Sequence, residues 1–349
     1  MRLVGDKYEG SSPHNLKGDV SRMMAPEFLK TAFSSKRPTI TRLNDDTSWL
    51  VSIPHPDDDG VSGGPSFFNF LVDPWFHTKQ VIISEWFLVQ WHVHESRISS
   101  IADLEEFLQH TIGQKRHPAT ISVPTSYIDA VIVSHDTTDH CHKETLKQVS
   151  AAVPIFASPS AAREISSWKH FRTVVSLPQG NQAKFDWRTA NLHPLPGWLG
   201  MKHLSQGEHF DSLYGGIALY FTKSASSLGV EALIYAPHGI KASAATWLGA
   251  AEPKVELVAL IYPWTEAKIM GLAATYGREE GEKLLLGTKS RYWIDTHDGE
   301  KISSGILSWF LAKRCRIDSH AESPGTGNKV SNLQGAILKT LHEGETLTL

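Results

Sequence analysis

The chain has 349 residues, 41% of them hydrophobic and 20% charged, with a formal charge of −3. This length supports one large α/β domain with a substantial core, and the composition is that of a globular protein. No basic stripe marks a nucleic-acid partner. Two cysteines, Cys141 and Cys315, are too few for a disulfide framework and fit a reducing compartment. The first residues lack the apolar run of a signal peptide. The most apolar stretches, such as 255–264, reach about half the length of a membrane span. The expectation is a cytoplasmic protein with no membrane partner.

Residues 1–38 read as a lead-in, with an amphipathic piece at 25–34 where Phe28, Leu29, Ala32 and Phe33 share a helix face. Residues 39–43, 48–53 and 67–73 alternate or run apolar between Asp, Gly and Pro clusters, which predicts strands in hairpins. Ile101–Ile112 reads as a helix with Leu104, Phe107 and Leu108 on one face. The apolar, β-branched run 127–134 reads as a strand buried on both faces. It ends at a polar knot, His135 to His142, followed by a helix predicted at 143–152 and a strand at 153–157. Helix and strand repeat at 164–169 and 173–177. A hairpin-like pair follows at 216–222 and 232–236, then strands at 257–262 and Tyr292–Ile294. A helix is predicted at 302–314, and a weaker one at 333–342 within a polar tail, 318–349, expected to be partly disordered.

Hairpins first and strand–helix alternation later fit a two-sheet α/β sandwich better than a purely doubly wound sheet.

The chemistry concentrates in Ser134-His135-Asp136-Thr137-Thr138-Asp139-His140-Cys141-His142. It lies where a buried strand gives way to a helix, the place where α/β proteins build ligand loops. Imidazoles and carboxylates together suit zinc, iron or manganese. The plainer alternative is a polar loop whose Asp139 and His142 cap the next helix.

The segment resembles the H-x-H-x-D-H signature of the metallo-β-lactamase superfamily, with His135, Asp139 and His140 in register and Thr137 in place of the second histidine. Phe70-Leu71-Val72-Asp73 resembles that superfamily's early strand ending in an Asp that buttresses the metal loop. Trp293-Ile294-Asp295-Thr296-His297 resembles its late strand ending in a ligand His. Ile234-Tyr235-Ala236-Pro237-His238 falls where a bridging Asp is usual, and here a histidine stands there. The set, spread over residues 39–317, resembles a divergent metallo-hydrolase branch lacking the second His of the motif, and this resemblance implies a four-layer αβ/βα sandwich: two mixed sheets packed face to face with helices outside.

The resemblance implies one complete metal position, Asp139, His140 and His297, beside a depleted one that has lost an imidazole at Thr137. One divalent transition metal is expected, zinc first, with iron or manganese as alternatives. Either His135 or His238 is expected as a fourth ligand or as an acid/base for the proton of an activated water. His238 can equally be a turn residue. Asp298 is expected either to orient His297 or simply to make a turn. His193, His203 and His209 are the mid-chain histidines, and the sequence registers none of them. The implied function is hydrolysis of a small-molecule ester, lactone or similar bond. The rival readings are a metal-depleted binding protein and a non-hydrolytic metalloenzyme of lyase or oxygenase type.

Three further patterns are set aside. Gly60-Val61-Ser62-Gly63-Gly64 has the serine-hydrolase spacing, but it follows three aspartates and precedes a proline instead of joining strand to helix. Gly325 to Lys329 lacks the strand and glycine spacing of a phosphate loop. His92 and His94 share a strand face without a third partner. Trp75, Trp86, Trp91, Trp264 and Trp293 cluster near strand ends, where core packing is a commoner role than lining a substrate pocket.

Overall fold

The structure, a computed structural model, describes residues 32–56, 66–76, 79–82, 84–93, 96–112, 126–180, 186–205, 213–222, 229–269, 272–299, 301–306, 308, 311–314, 331–333 and 335–349. Most of the lead-in and its amphipathic piece, the glycine loops at 60–64 and 325–329, and residues His94 and His209 lie outside them.

Two seven-stranded sheets dominate. The first runs, edge to edge, β20 (Thr346–Thr348), β1 (Thr39–Arg42), β2 (Trp49–Pro54), β3 (Phe67–Val72), β6 (Ala130–Val133), β7 (Ile155–Ala157) and β8 (Val174–Ser176). The second runs β18 (Ser331–Leu333), β19 (Ala336–Lys339), β15 (Tyr292–Ile294), β12 (Val255–Ile261), β11 (Val230–Tyr235), β10 (Gly215–Thr222) and β9 (Leu199–Ser205). Two three-stranded sheets complete the set among the described residues. One is β14 (Leu272–Thr275), β13 (Glu266–Ile269) and β17 (Leu311–Arg314); the other is β16 (Lys301–Ser304), β5 (Leu88–His92) and β4 (Gln80–Ile82).

Three apolar cores show the layering. The central one takes Ile40, Trp49, Val51 and Phe70 from the first sheet and Ile217, Leu219, Leu233 and Ile261 from the second. Alternate residues of the same strands point outward, as the two-residue period of a strand requires. Leu50, Leu71, Val131 and Ile155 pack under α1 (Ile101–Ile112) and α3 (Pro159–Ser167). Ala218, Ile234 and Leu260 pack under α4 (Arg278–Thr288) and short helical turns. Helix, sheet, sheet and helix are therefore stacked as four layers, and strands buried on both faces explain the continuous apolar runs.

Sequence and structure differ where strands were hidden. The helix expected at 302–314 is replaced by β16 and β17, because each pairs with a distant strand: Lys301 with His92, and Leu311 with Ile269. The weak helix expected at 333–342 is β19, parallel to β15, and the polar tail supplies β18, β19 and β20 to the two main sheets. The helix predicted at 143–152 is only one turn, α2 (Lys143–Leu146), with His142 as its N-cap accepting from the Thr145 N–H. No helix among the described residues is long and apolar enough to cross a membrane.

Candidate metal centre

Chain segments that leave the strands β3, β6, β11 and β15 meet at one end of the sandwich. β3 leads into Asp73, β6 into Ser134 and His135, β11 into His238, and β15 into His297. Parallel pairing of β3 with β6, and of β11 with β12 and β12 with β15, sends these C-terminal ends the same way. Two of the residues carry positive φ, Asp73 at 43° and His297 at 58°, a conformation side chains other than glycine rarely adopt. Gly239 beside His238 also has positive φ, 74°, and a Cβ there would lie 2.6 Å from the Tyr276 carbonyl oxygen. The glycine lets this turn press against Tyr276, whose N–H donates to the His238 carbonyl at 2.8 Å.

Asp139, His140, His238 and His297 each bring one donor atom within 4.8 Å of the others. The nearest pair, Nε2 of His140 and Nε2 of His238, are 2.8 Å apart. Such nitrogens share either a proton or a metal ion. Asp139 Oδ1 lies 3.9 Å from His140 Nε2, and Oδ2 lies 3.7 Å from His297 Nε2. The Oδ1 atom is buried and makes no hydrogen bond. Three imidazoles and a carboxylate, His297 half-buried and the others buried, with that oxygen unclaimed, fit a first-row divalent ion.

The surrounding hydrogen bonds fix the tautomers. Asp73 Oδ2 accepts from His140 Nδ1 at 2.7 Å, so the Nε2 that faces His238 keeps its lone pair. The same carboxylate accepts from the Ser134 hydroxyl and from Tyr235 Oη at 2.8 Å, and its Oδ1 accepts from the Ser134 N–H at 2.7 Å. Because the Ser134 hydroxyl donates to Asp73, it accepts from His135 Nδ1, 2.8 Å away. His135 therefore also offers a lone pair at Nε2, and that atom is buried with no hydrogen-bond partner. His297 donates from Nδ1 to Asp46 Oδ1 at 3.1 Å. Asp46 Oδ2 in turn faces Lys301 Nζ at 2.7 Å.

These contacts set the charges. Burial raises the pKa of Asp46, but Lys301 and His297 outweigh it and hold the carboxyl well below its ordinary range. Burial likewise pushes Asp139 up, and His140, Lys301 and His297 more than reverse that. Burial, reinforced by His238, His140 and His203, holds His135 well below the usual histidine value. His297 is lowered by burial and by Lys301. His140 moves upward, since Asp139 and Asp73 overcome its burial.

The residues singled out from the sequence are distributed as follows. Asp139, His140 and His297 converge, with His238 as the fourth member. His135 stands beside that group, its ring centroid 4.8 Å from His238 and 5.1 Å from His140. Thr137 Oγ1 is buried without a hydrogen bond. Among the mid-chain histidines, His203 on β9 is fully buried and close enough to His135 to act on its charge, whereas His193 is exposed. Asp298 does not orient His297: it pairs with the buried Arg42 at 2.5 Å, and Asp46 takes the place expected of it. His92 stacks on Trp75 at 3.9 Å and is not among the converging donors. Trp75, Trp264 and Trp293 are buried in the fold, while Trp86 is exposed.

Sequence reasoning missed Asp46 and Lys301. Asp46 sits in an Asn-Asp-Asp turn that reads only as a strand separator. Lys301 fell at the edge of an expected helix. A polar chain also ties the metal loop to the small sheet: Thr138 donates to Gln80 at 3.0 Å, Gln80 to Gln90 at 2.8 Å, and Gln90 to Ser303 at 2.9 Å.

No protein-family model matches the chain, and no curated protein sequence does. Solved structures do. CmlA, a diiron beta-hydroxylase from Streptomyces venezuelae, superposes with a TM-score of 0.51 at 12% identity, over 90% of this chain and 55% of that one. A possible metal-dependent hydrolase from Veillonella parvula matches with a TM-score of 0.49 at 13% identity, over 90% of this chain and 100% of that one. Isothiocyanate hydrolase from Delia radicum gut bacteria matches at 0.48 and 12% identity, over 89% and 98%. With its two face-to-face sheets, outer helices and cluster of donors at the strand ends, the chain has the αβ/βα sandwich fold of the metallo-β-lactamase type.

Proposed function

We propose that the protein is a metal-dependent hydrolase of a small-molecule ester, lactone or similar bond, working in the cytoplasm without nucleic-acid or membrane partners. The observation that carries the reading is the convergence of Asp139, His140, His238 and His297 beside the buried, unpartnered Nε2 of His135. The four residues would hold one divalent transition metal, zinc by the donor set. Such an ion supplies Lewis acidity, polarising a carbonyl and bringing the pKa of water towards about 7.

The chain's own residues supply the rest. Asp73 and Asp46 lock His140 and His297 with Nε2 inward, which fixes the ligand geometry before substrate arrives. His135 Nε2, buried and without a hydrogen-bond partner, would accept the proton of the attacking water. The Ser134 hydroxyl and Asp73 keep that ring in the accepting tautomer.

An all-histidine and carboxylate donor set also suits iron, so redox chemistry on this centre is the second reading. Metal analysis of the purified protein, followed by a screen of ester and lactone substrates with the zinc-loaded form, tests the proposal. Hydrolysis that persists unchanged in His140→Ala would overturn it. Iron as the native metal, with no hydrolysis by any loaded form, favours the second reading.

A further inference from the structure

Lys301 departs from the ordinary behaviour of its residue type. On β16 the exposed and inward positions alternate, and the polarity is inverted: Ile302 is 43% exposed while the Lys301 side chain is 8% exposed. Lysine is seldom buried unless paired. Here the ammonium lies 2.7 Å from Asp46 Oδ2, 3.8 Å from Asp139 Oδ2 and 5.4 Å from the Trp75 ring centroid. It is also 3.4 Å from His297 Nδ1, but that nitrogen donates to Asp46, so the ammonium has no acceptor there. The two oxygens of Asp139 are thus unequal: Oδ2 lies between the ammonium and His297 Nε2, 3.7 Å away, while Oδ1 is buried without a hydrogen bond.

We propose that Lys301 is a positioning residue of the metal centre, which occupies the Oδ2 side of Asp139 so that this carboxylate offers the metal Oδ1 alone. The inference rests on the metal reading above and adds how that site is regulated. A carboxylate bound through one oxygen donates less charge than one bound through two, and it leaves a coordination position for water and substrate. The ammonium also offsets one of three nearby carboxylates, Asp46, Asp73 and Asp139. A divalent ion therefore meets less negative charge and stays a stronger Lewis acid.

The test uses zinc alone with the full-length protein, its Lys301→Met variant and its Lys301→Arg variant. Crystal structures of the zinc-loaded forms report the binding mode of Asp139, and competition against a chelator reports affinity. In the wild type, Oδ1 alone should lie at bonding distance. In Lys301→Met the affinity should rise by about tenfold, at the low end of the range seen for outer-shell partners. Its sign follows from removing a like charge and freeing Oδ2. Lys301→Arg, which keeps the charge, should stay within about threefold of wild type. Asp139 bound through both oxygens in the wild type, or a Lys301→Met affinity unchanged or weaker, overturns the proposal while leaving the metal reading in place. A wild type that takes up no zinc overturns both. The wild-type binding mode decides the matter even if a variant fails to fold.

Discussion

His297 donates from Nδ1 to Oδ1 of Asp46, a carboxylate 251 positions earlier in the chain. The bond joins the turn between the first two strands to the loop after β15, and it leaves Nε2 of His297 directed at Asp139. Replacing the carboxylate should therefore act on the metal without touching a ligand. Asp46→Asn is expected to weaken zinc binding by about 10- to 100-fold while the fold is kept. Chelator competition on the purified variant measures this, and an unchanged affinity would mean that His297 needs no such support.

Ligand substitutions should have a steeper effect. Asp139→Ala, His140→Ala and His238→Ala each remove one of four converging donors, and purified protein should then hold much less than one metal per chain. His135→Gln should keep the metal and lose activity, since that ring stands beside the four. Elemental analysis separates the two classes. Loss of metal in His135→Gln would make His135 a ligand, and retention in His238→Ala would remove His238 from the set.

Thr137→His adds an imidazole beside His135, with His203 as a buried neighbour of that ring. The expected result is a rise from one bound zinc towards two, read by calorimetric titration. No further uptake would show that the buried Thr137 hydroxyl does not face that side.

Arg42 is buried between Asp298 and the carbonyl oxygens of Leu341, Asn44 and Asp45, with its guanidinium over the Trp49 ring. Arg42→Met should leave Asp298 buried and unpaired, at a cost of about 3–5 kcal/mol. Urea unfolding measures it. Because Asp298 adjoins His297, the metal-loaded form should lose affinity as well.

Acid should weaken the metal-free protein. His135, His297, His92 and His142 all have pKa values lowered on folding, with burial the largest cause in each. The unfolded chain then binds their protons more readily, so their contribution is present above about pH 6.5 and is lost as pH falls. His140 is shifted upward and acts in the opposite sense, yet it is one group against four. Thermal unfolding of chelator-treated protein between pH 7.5 and 5.5 should show a falling midpoint. A flat profile would contradict this balance.

Much of the frame is local, and the sequence by itself determined it. The Ala130–Val133 run is apolar on both faces, so it had to be an inner strand, and the polar knot after it had to be a loop at the strand end. Ile101–Ile112 carries its own helical period, and Tyr292–Ile294 is a short apolar run bounded by polar residues. The resemblance of the strand-end motifs to the metallo-β-lactamase signature placed Asp139, His140 and His297 as candidates. Only the tertiary structure decided the rest. β16 and β17 are strands because distant partners hydrogen-bond them, which no window of neighbouring residues encodes. His238 joins the donors because β11 pairs parallel with β12 and its turn is held by Tyr276. Asp46 rather than Asp298 orients His297 because a buried arginine had already claimed Asp298. Donor identity is written residue by residue, whereas the direction of each lone pair depends on partners hundreds of positions away, brought close only when both sheets have packed.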